Sequence, residues 1–156
     1  MIKKSESLNY LLEEIRETVA SRSGSMEKLT AICKLLKKNV SHYNWVGFYL
    51  VNPEKQDELL LGPYEGEPTE HVRIPFGQGI CGQAAKTSKP FIVQDVSKEK
   101  NYLSCSINVK AEIVVPIFKK GKIIGELDID SHVPSPFTDE DEKFLDNIAK
   151  LASRIL

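Results

Sequence analysis

The segment Glu112-Ile-Val-Val-Pro-Ile-Phe118-Lys-Lys-Gly121-Lys122-Ile-Ile-Gly-Glu-Leu-Asp128-Ile-Asp130 reads as two strands joined by a tight turn. Short β-branched and aromatic runs flank Lys119-Lys120-Gly121, and glycine takes the left-handed conformation such a turn needs without a steric penalty. A three-residue loop closing on Gly121 predicts that Phe118 pairs with Lys122 and, counted back, Glu112 with Asp128. Side chains alternate along a strand. Glu112, Glu126, Asp128 and Asp130 are therefore expected on one face, and Ile123, Leu127 and Ile129 on the other, against the core. A two-residue turn would shift the register by one and send Glu112 to the wrong side.

Working outward, Leu8, Leu11, Leu12, Ile15 and Val19 recur at helical spacing over residues 7–20. Leu29, Ile32, Leu35, Leu36 and Val40 repeat the pattern after Ser-Arg-Ser-Gly-Ser, with Ser25 as the expected N-cap and Glu27 in the first turn. From Asn44 the texture changes to Trp-Val-Gly-Phe-Tyr-Leu-Val and then Glu-Leu-Leu-Leu-Gly, which predict paired strands. Residues 71–76 and Phe91 to Val93 predict short strands, Gly82 to Lys86 a short helix, and 95–108 an irregular polar stretch. Thr138, followed by Asp139, Glu140 and Asp141, starts a last helix with Phe144, Leu145, Ile148, Leu151, Ala152 and Ile155 on one face. Helix, helix, antiparallel strands, helix is the order of an α+β fold with its terminal helices packed together on a sheet.

The bulk properties exclude several classes. With 156 residues and 41% hydrophobic content, the chain has the size of one domain with a full core. A net charge of -1, with 28% charged residues of both signs, leaves no basic face for nucleic acid and no polybasic membrane patch. No apolar run approaches the roughly 18 residues of a membrane span, and the N-terminus has no apolar signal region, so a cytoplasmic protein is expected. Three cysteines, an odd number without a secretory signal, argue against a disulfide scaffold and for transient, catalytic disulfides.

Cys81 in Gly-Gln-Gly-Ile-Cys-Gly and Cys105 in Leu-Ser-Cys-Ser precede the carboxylate row. Thiols beside acids are the material of thiol redox chemistry: a thiolate attacks an electrophilic sulfur, a carboxyl group protonates the departing oxygen, and a second thiol closes a disulfide. A turn leading into a short helix would place Cys81 near a helix N-terminus, where its thiolate could be stabilised. Cys33 sits among apolar residues of an amphipathic helix and reads as a small buried hydrophobe. Gly77, Gly79 and Gly82 match a dinucleotide fingerprint in spacing, but Pro75 and the lack of a βαβ rhythm deny it its context. Cys81, Cys105, His71 and His132 have no metal-ligand spacing. Acids clustered on one face call for a cation among them, and a ligand ammonium is the natural complement. Trp45 and Tyr49, core aromatics by default, could then form a pocket wall for a cationic or thioether ligand.

Asn44-Trp-Val-Gly-Phe-Tyr49, Val72-Arg-Ile-Pro-Phe-Gly-Gln-Gly-Ile-Cys-Gly82, Glu112-Ile-Val-Val-Pro116, Gly125-Glu-Leu-Asp-Ile-Asp-Ser131 and Phe137-Thr-Asp-Glu-Asp-Glu142, with the spacing of Cys81 and Cys105, resemble the free methionine-(R)-sulfoxide reductases, single GAF-domain enzymes. The resemblance implies one GAF-like domain over residues 1–156, an antiparallel sheet with helices on both faces. It makes Cys105 the catalytic cysteine, Cys81 a further redox cysteine, Glu112, Asp128 and Asp130 the acids holding the substrate and its sulfoxide oxygen, and Trp45 and Tyr49 pocket aromatics. His71 stands where many members have the resolving cysteine, and Ser106 replaces the acid that often follows the catalytic one. The implied cycle therefore has two cysteines: Cys105 becomes a sulfenic acid, Cys81 condenses with it, and a thioredoxin-type reductant reopens the disulfide, with no metal or organic cofactor. A homodimer through the terminal helices is expected. A non-catalytic GAF sensor binding a small molecule is the alternative, against which the absence of an output domain before Leu156 counts.

Overall fold

The computed structural model describes residues 2–104 and 106–156. The chain opens with α1 (Lys4–Ala20) and α2 (Ser25–Asn39), followed by β1 (Trp45–Asn52), β2 (Lys55–Glu65) and β3 (Arg73–Pro75). Then come α3 (Gly79–Thr87), β4 (Phe91–Val93), a short 3-10 turn at Val96–Lys98, β5 (Ala111–Lys119), β6 (Lys122–Ser131) and α4 (Asp139–Ser153). The six strands form one antiparallel sheet in the order β3-β2-β1-β6-β5-β4. None of the described helices is long and apolar enough to cross a membrane.

The sheet separates two apolar layers. On one face α1, α2 and α4 bury Leu8, Ile15, Leu29, Ile32, Leu36, Phe144 and Ile148 against Val46, Phe48, Ile113, Leu127 and Ile129. Each large side chain taken out of water there contributes about 1.5–3 kcal/mol. On the other face the short α3 packs Ile80, Cys81 and Ala84 against Trp45, Tyr49 and Val114. The fold is thus the α+β arrangement expected, with helices on both faces and the terminal helices together.

The central hairpin departs from expectation in register. Lys119 pairs with Lys122 across a two-residue loop, in which Lys120 and Gly121 both have positive φ (53° and 76°). Two left-handed residues give the turn whose twist matches the flanking strands. On its own, this turn would move Glu112 to the core face. A bulge on β6 corrects it: Phe118 opposes Ile123, but Ile117 opposes Gly125, leaving Ile124 as the extra residue. Glu112 consequently faces Asp130 rather than Asp128 and stays on the acidic side. The bulge also exchanges two isoleucines: Ile124 packs with the helical layer and Ile123 with the α3 layer, whereas Leu127 and Ile129 hold their expected core positions.

A second correction concerns Ser25. Gly24 is the N-cap of α2, without a side-chain cap bond, and the Ser25 hydroxyl instead donates to the Ile155 carbonyl at 2.5 Å, tying α2 to the end of the chain.

At the other end of α4, the fully buried Asp141 joins three distant segments. Its carboxylate accepts from Tyr43 Oη at 2.6 Å, Lys4 Nζ at 2.5 Å and the Thr138 N–H at 2.8 Å, and meets His42 Nε2 at 3.0 Å. Burial would push this carboxyl up, but the hydrogen bonds from His42, Lys4, Tyr43 and Thr138 outweigh it and hold it well below the usual carboxylate range. Asp141→Asn is expected to cost about 2–4 kcal/mol in urea unfolding at pH 7. A depressed folded-state pKa contributes stability present above the unfolded carboxylate value, near 4, and lost as pH falls toward the folded value. The gap between wild type and Asp141→Asn should therefore narrow below about pH 4; an equal gap at pH 7 and pH 3 contradicts the clamp.

Candidate active site

Strand pairing brings the predicted residues into a grid. Across β1, β6 and β5 the rows are Trp45–Asp130–Glu112, Gly47–Asp128–Val114 and Tyr49–Glu126–Pro116. Directly opposed residues share a face, so the two aromatics and four acids lie on the same side, under α3. Gly47 is needed between Trp45 and Tyr49 because a Cβ there would come within 2.4 Å of the Trp45 ring. The indole can then lie over the strand, stacked on Tyr64 (centroids 5.3 Å apart) and Tyr49 (6.4 Å).

Both aromatics also hold the loop over residues 66–72. Trp45 Nε1–H donates to the Glu67 carbonyl at 3.0 Å, and the Tyr49 hydroxyl to the His71 carbonyl at 2.9 Å. The His71 ring continues the link, with Nε2 at 3.0 Å from the Ser104 carbonyl. Asn101 anchors the next loop to the start of α3, accepting from the Gly79 N–H at 2.8 Å and donating to the Gly77 carbonyl at 2.7 Å. Cys81, three residues into α3, turns toward the acids with Sγ at 3.8 Å from Glu112 Oε2.

The electrostatics are those of carboxyl groups removed from water. Glu112, Glu126, Asp128 and Asp130 are all buried. Both oxygens of Glu126, Asp128 Oδ1 and Asp130 Oδ1 have no hydrogen-bond partner among the described residues. Burial, and next the Asp128 charge, raise the Glu126 carboxyl well above the usual range, partly offset by the nearby Cys81 thiol. Burial raises Asp128, partly offset by hydrogen bonds with Glu112 and Cys81; burial and the Asp128 charge raise Asp130, partly offset by Glu112. Two carboxyl groups can share a hydrogen bond only if one is protonated, so the cluster retains protons under conditions that would ionise free acids.

The expectation that a helix N-terminus would stabilise the Cys81 thiolate is overturned. Burial first, then the charges of Asp128, Glu112, Glu126 and Asp130, push this thiol well above its ordinary value. A few helical N–H dipoles do not compensate for lost hydration beside four acids.

Two narrow cavities on this face mark the site, each with room for about one water molecule. One is lined by Trp45, Asp130, Ser106 and His132, the other by Tyr49, His71, Cys81, Leu103, Glu112 and Asp128. Six of the seven residues singled out from sequence thus converge. The seventh, Cys105, lies outside the described residues. Cys33 is fully buried in the helical layer, its Sγ 3.5 Å from the Pro63 carbonyl, as a small hydrophobe. Glu126, read as sharing the acidic face, is its most deeply buried member, and the link from His71 to Ser104 was not anticipated. Neither has a sequence signal, since Glu126 looks like any strand acid and the His71 contact spans two loops.

The chain from residue 27 to 156 matches the GAF domain model. It is 40% identical over 148 residues to GAF domain-containing protein A of Dictyostelium discoideum, covering 95% of this chain and 91% of that one. It is 35% identical over 153 residues to the free methionine-R-sulfoxide reductase of Escherichia coli, covering 98% of this chain and 90% of the relative. The chain belongs to the free methionine-R-sulfoxide reductase family of GAF domains. Its fold superposes with a TM-score of 0.92, at 35% identity, on the solved structure of a free methionine-R-sulfoxide reductase from Neisseria meningitidis in complex with its substrate, covering 99% of this chain and 91% of that one. As a member of this enzyme family, the GAF domain places its acids and aromatics on the sheet face opposite the helical layer.

Retaining buried acids whose oxygens are only partly partnered has a stability consequence. A carboxyl whose folded-state pKa is raised contributes stability below its unfolded value, and that contribution is lost as pH rises through the folded value. Glu126→Gln removes the loss. It should stabilise the GAF domain by at least about 1 kcal/mol at pH 8 and by less at pH 5 in thermal unfolding. A variant less stable than wild type at pH 8 contradicts this account of Glu126.

Proposed function

We propose that the chain reduces free methionine-(R)-sulfoxide to methionine, within one GAF-like domain over residues 1–156. The observation that carries this reading is the buried row of Glu126, Asp128 and Asp130 with oxygens unpartnered among the described residues, walled by Trp45 and Tyr49 and bordered by Cys81. An amino-acid ammonium offers N–H donors and a positive charge to such oxygens, and stacked rings suit a sulfur-bearing side chain. A peptide-bound sulfoxide has no free ammonium to offer, so the same acids select the free amino acid.

In the proposed reaction the Cys105 thiolate attacks the sulfoxide sulfur while a protonated carboxyl of the Asp128, Asp130 and Glu112 group gives its proton to the oxygen. The protonated oxygen then migrates to the Cys105 sulfur as its bond to the methionine sulfur and the new sulfur–sulfur bond break, which releases methionine and leaves Cys105 as a sulfenic acid. The carboxyl groups that retain protons through burial support the acid role. The assignment of Cys105 is supported by the family resemblance, and its neighbours Ser104 and Ser106 border the two cavities through His71 and directly. Cys81 then attacks the sulfenic sulfur, water leaves, and a disulfide forms. Its raised pKa calls for a base, and Glu112 Oε2 at 3.8 Å is placed to take the thiol proton. A thioredoxin-type dithiol reopens the disulfide by exchange.

Turnover of free methionine-(R)-sulfoxide with dithiothreitol is expected for wild type, with at least about a 1,000-fold loss in Cys105→Ser. Substrate alone should consume two thiols in wild type, joined as the Cys81–Cys105 disulfide, and one in Cys81→Ser, where Cys105 stops at the sulfenic acid. Binding without turnover would instead identify a GAF sensor. The enzyme is further proposed to work in the cytoplasm as a homodimer through its terminal helices, where Tyr10 is exposed. A single-chain mass in sedimentation equilibrium removes the dimer.

A further inference from the structure

The sulfur of Cys81, a Glu112 oxygen and an Asp128 oxygen lie within 4.8 Å of one another. They come from α3, β5 and β6, so no spacing in the sequence announces them as a set. Two donors on one tetrahedral zinc ion, with bonds of about 2.3 Å to sulfur and 2.0 Å to oxygen, stand about 3.5 Å apart. The Cys81 Sγ to Glu112 Oε2 separation is 3.8 Å, so only a small contraction is needed. The cavity that the three residues line holds about one water, which is also the space of one metal ion.

A second observation points the same way. Asp128 Oδ1 is buried, belongs to a residue lining this cavity and has no hydrogen-bond partner among the described residues, and Asp130 Oδ1 and both Glu126 oxygens are likewise unpartnered among them on the same face. The described lining of this cavity includes no lysine or arginine. A compact divalent cation answers that excess of acceptors in a space a larger ligand would have to widen. The donor set also selects among cations. A thiolate favours zinc or cadmium, whereas magnesium demands six oxygens and keeps several waters, which this cavity cannot admit.

We propose that Cys81, Glu112 and Asp128 bind one zinc ion, and that zinc is a reversible inhibitor of this protein. On coordination the Cys81 S–H proton passes to solvent and the sulfur becomes a zinc-bound thiolate. No electron is transferred, so chelation restores the free thiol. Inhibition rests on the reductase reading, because bound zinc withholds the sulfur that would resolve the sulfenic acid and neutralises the acids that would hold the ammonium. Binding itself does not rest on it.

The fully reduced protein is titrated anaerobically with zinc chloride against a chromogenic chelator, and separately with cadmium chloride while the ultraviolet thiolate-to-cadmium band is followed. One equivalent is expected per chain. Cys81→Ser and Glu112→Gln should each weaken zinc binding at least about tenfold. The cadmium band should persist in Cys33→Ser and vanish in Cys81→Ser. Thermal melts of each variant without metal verify folding, and zinc should raise the melting temperature of wild type but not of Cys81→Ser. Zinc binding that is absent in wild type, or undiminished in both Cys81→Ser and Glu112→Gln, overturns the site. Turnover is read separately: inhibition should appear at one equivalent and reverse with EDTA. Zinc binding through Cys81 in a protein that reduces no sulfoxide would uphold the metal site and remove the reductase, while turnover indifferent to bound zinc would overturn the inhibitor role.

Discussion

The register of β6 between β1 and β5 is the constraint on which the site depends. Period-two alternation leaves only two outcomes for Glu112: facing Asp130 beneath α3, or pointing into the helical core. The two-residue turn at Lys120 and Gly121 selects the second, and the bulge at Ile124 reverses it. From that correction follows the grid that sets Trp45 against Asp130, Gly47 against Asp128 and Tyr49 against Glu126. A bulge costs one ladder bond and local twist, modest beside the consequence of burying another carboxylate in an aliphatic layer.

Two kinds of buried acid occupy the same molecule and illustrate opposite physics. Asp141 lies between α1, α4 and the segment before β1, with Tyr43, Lys4, His42 and the Thr138 N–H around its two oxygens. Its charge is therefore favoured despite burial. Glu126, Asp128 and Asp130 are equally removed from water, but several of their oxygens have no donor among the described residues, so burial raises their pKa values. The first is a structural clamp. The second is, under the proposed function, the site for a cationic partner, with stability lowered in its absence.

Much of this was legible in the residues. Helical periodicity placed the two N-terminal helices and α4, and alternation placed Leu127 and Ile129 in the core with Asp128 and Asp130 opposite them. The error at Ile123 and in the Glu112 partner arose because a bulge leaves no distinct residue signature: Ile123-Ile124 are chemically equivalent, and packing against both layers decided which faces which way. Ser25 looked like a cap because its type favours that role, but the chain end, remote in sequence, took its hydroxyl. Cys81 was placed correctly near a helix start and misjudged in its charge state, since four acids from β5 and β6 act on it.

The α+β class and the acidic and apolar faces of the hairpin follow from local geometry and alternation, and the cysteines and acids are legible directly as residue types. Packing alone sets which acid opposes which, that Glu126 is buried without a hydrogen-bond donor among the described residues, that His71 reaches Ser104, and that atoms of Cys81, Glu112 and Asp128 lie within 4.8 Å of one another. Those outcomes depend on desolvation and on contacts between segments far apart in the chain, where field strength and distance are properties of the packed whole and of no single stretch of residues.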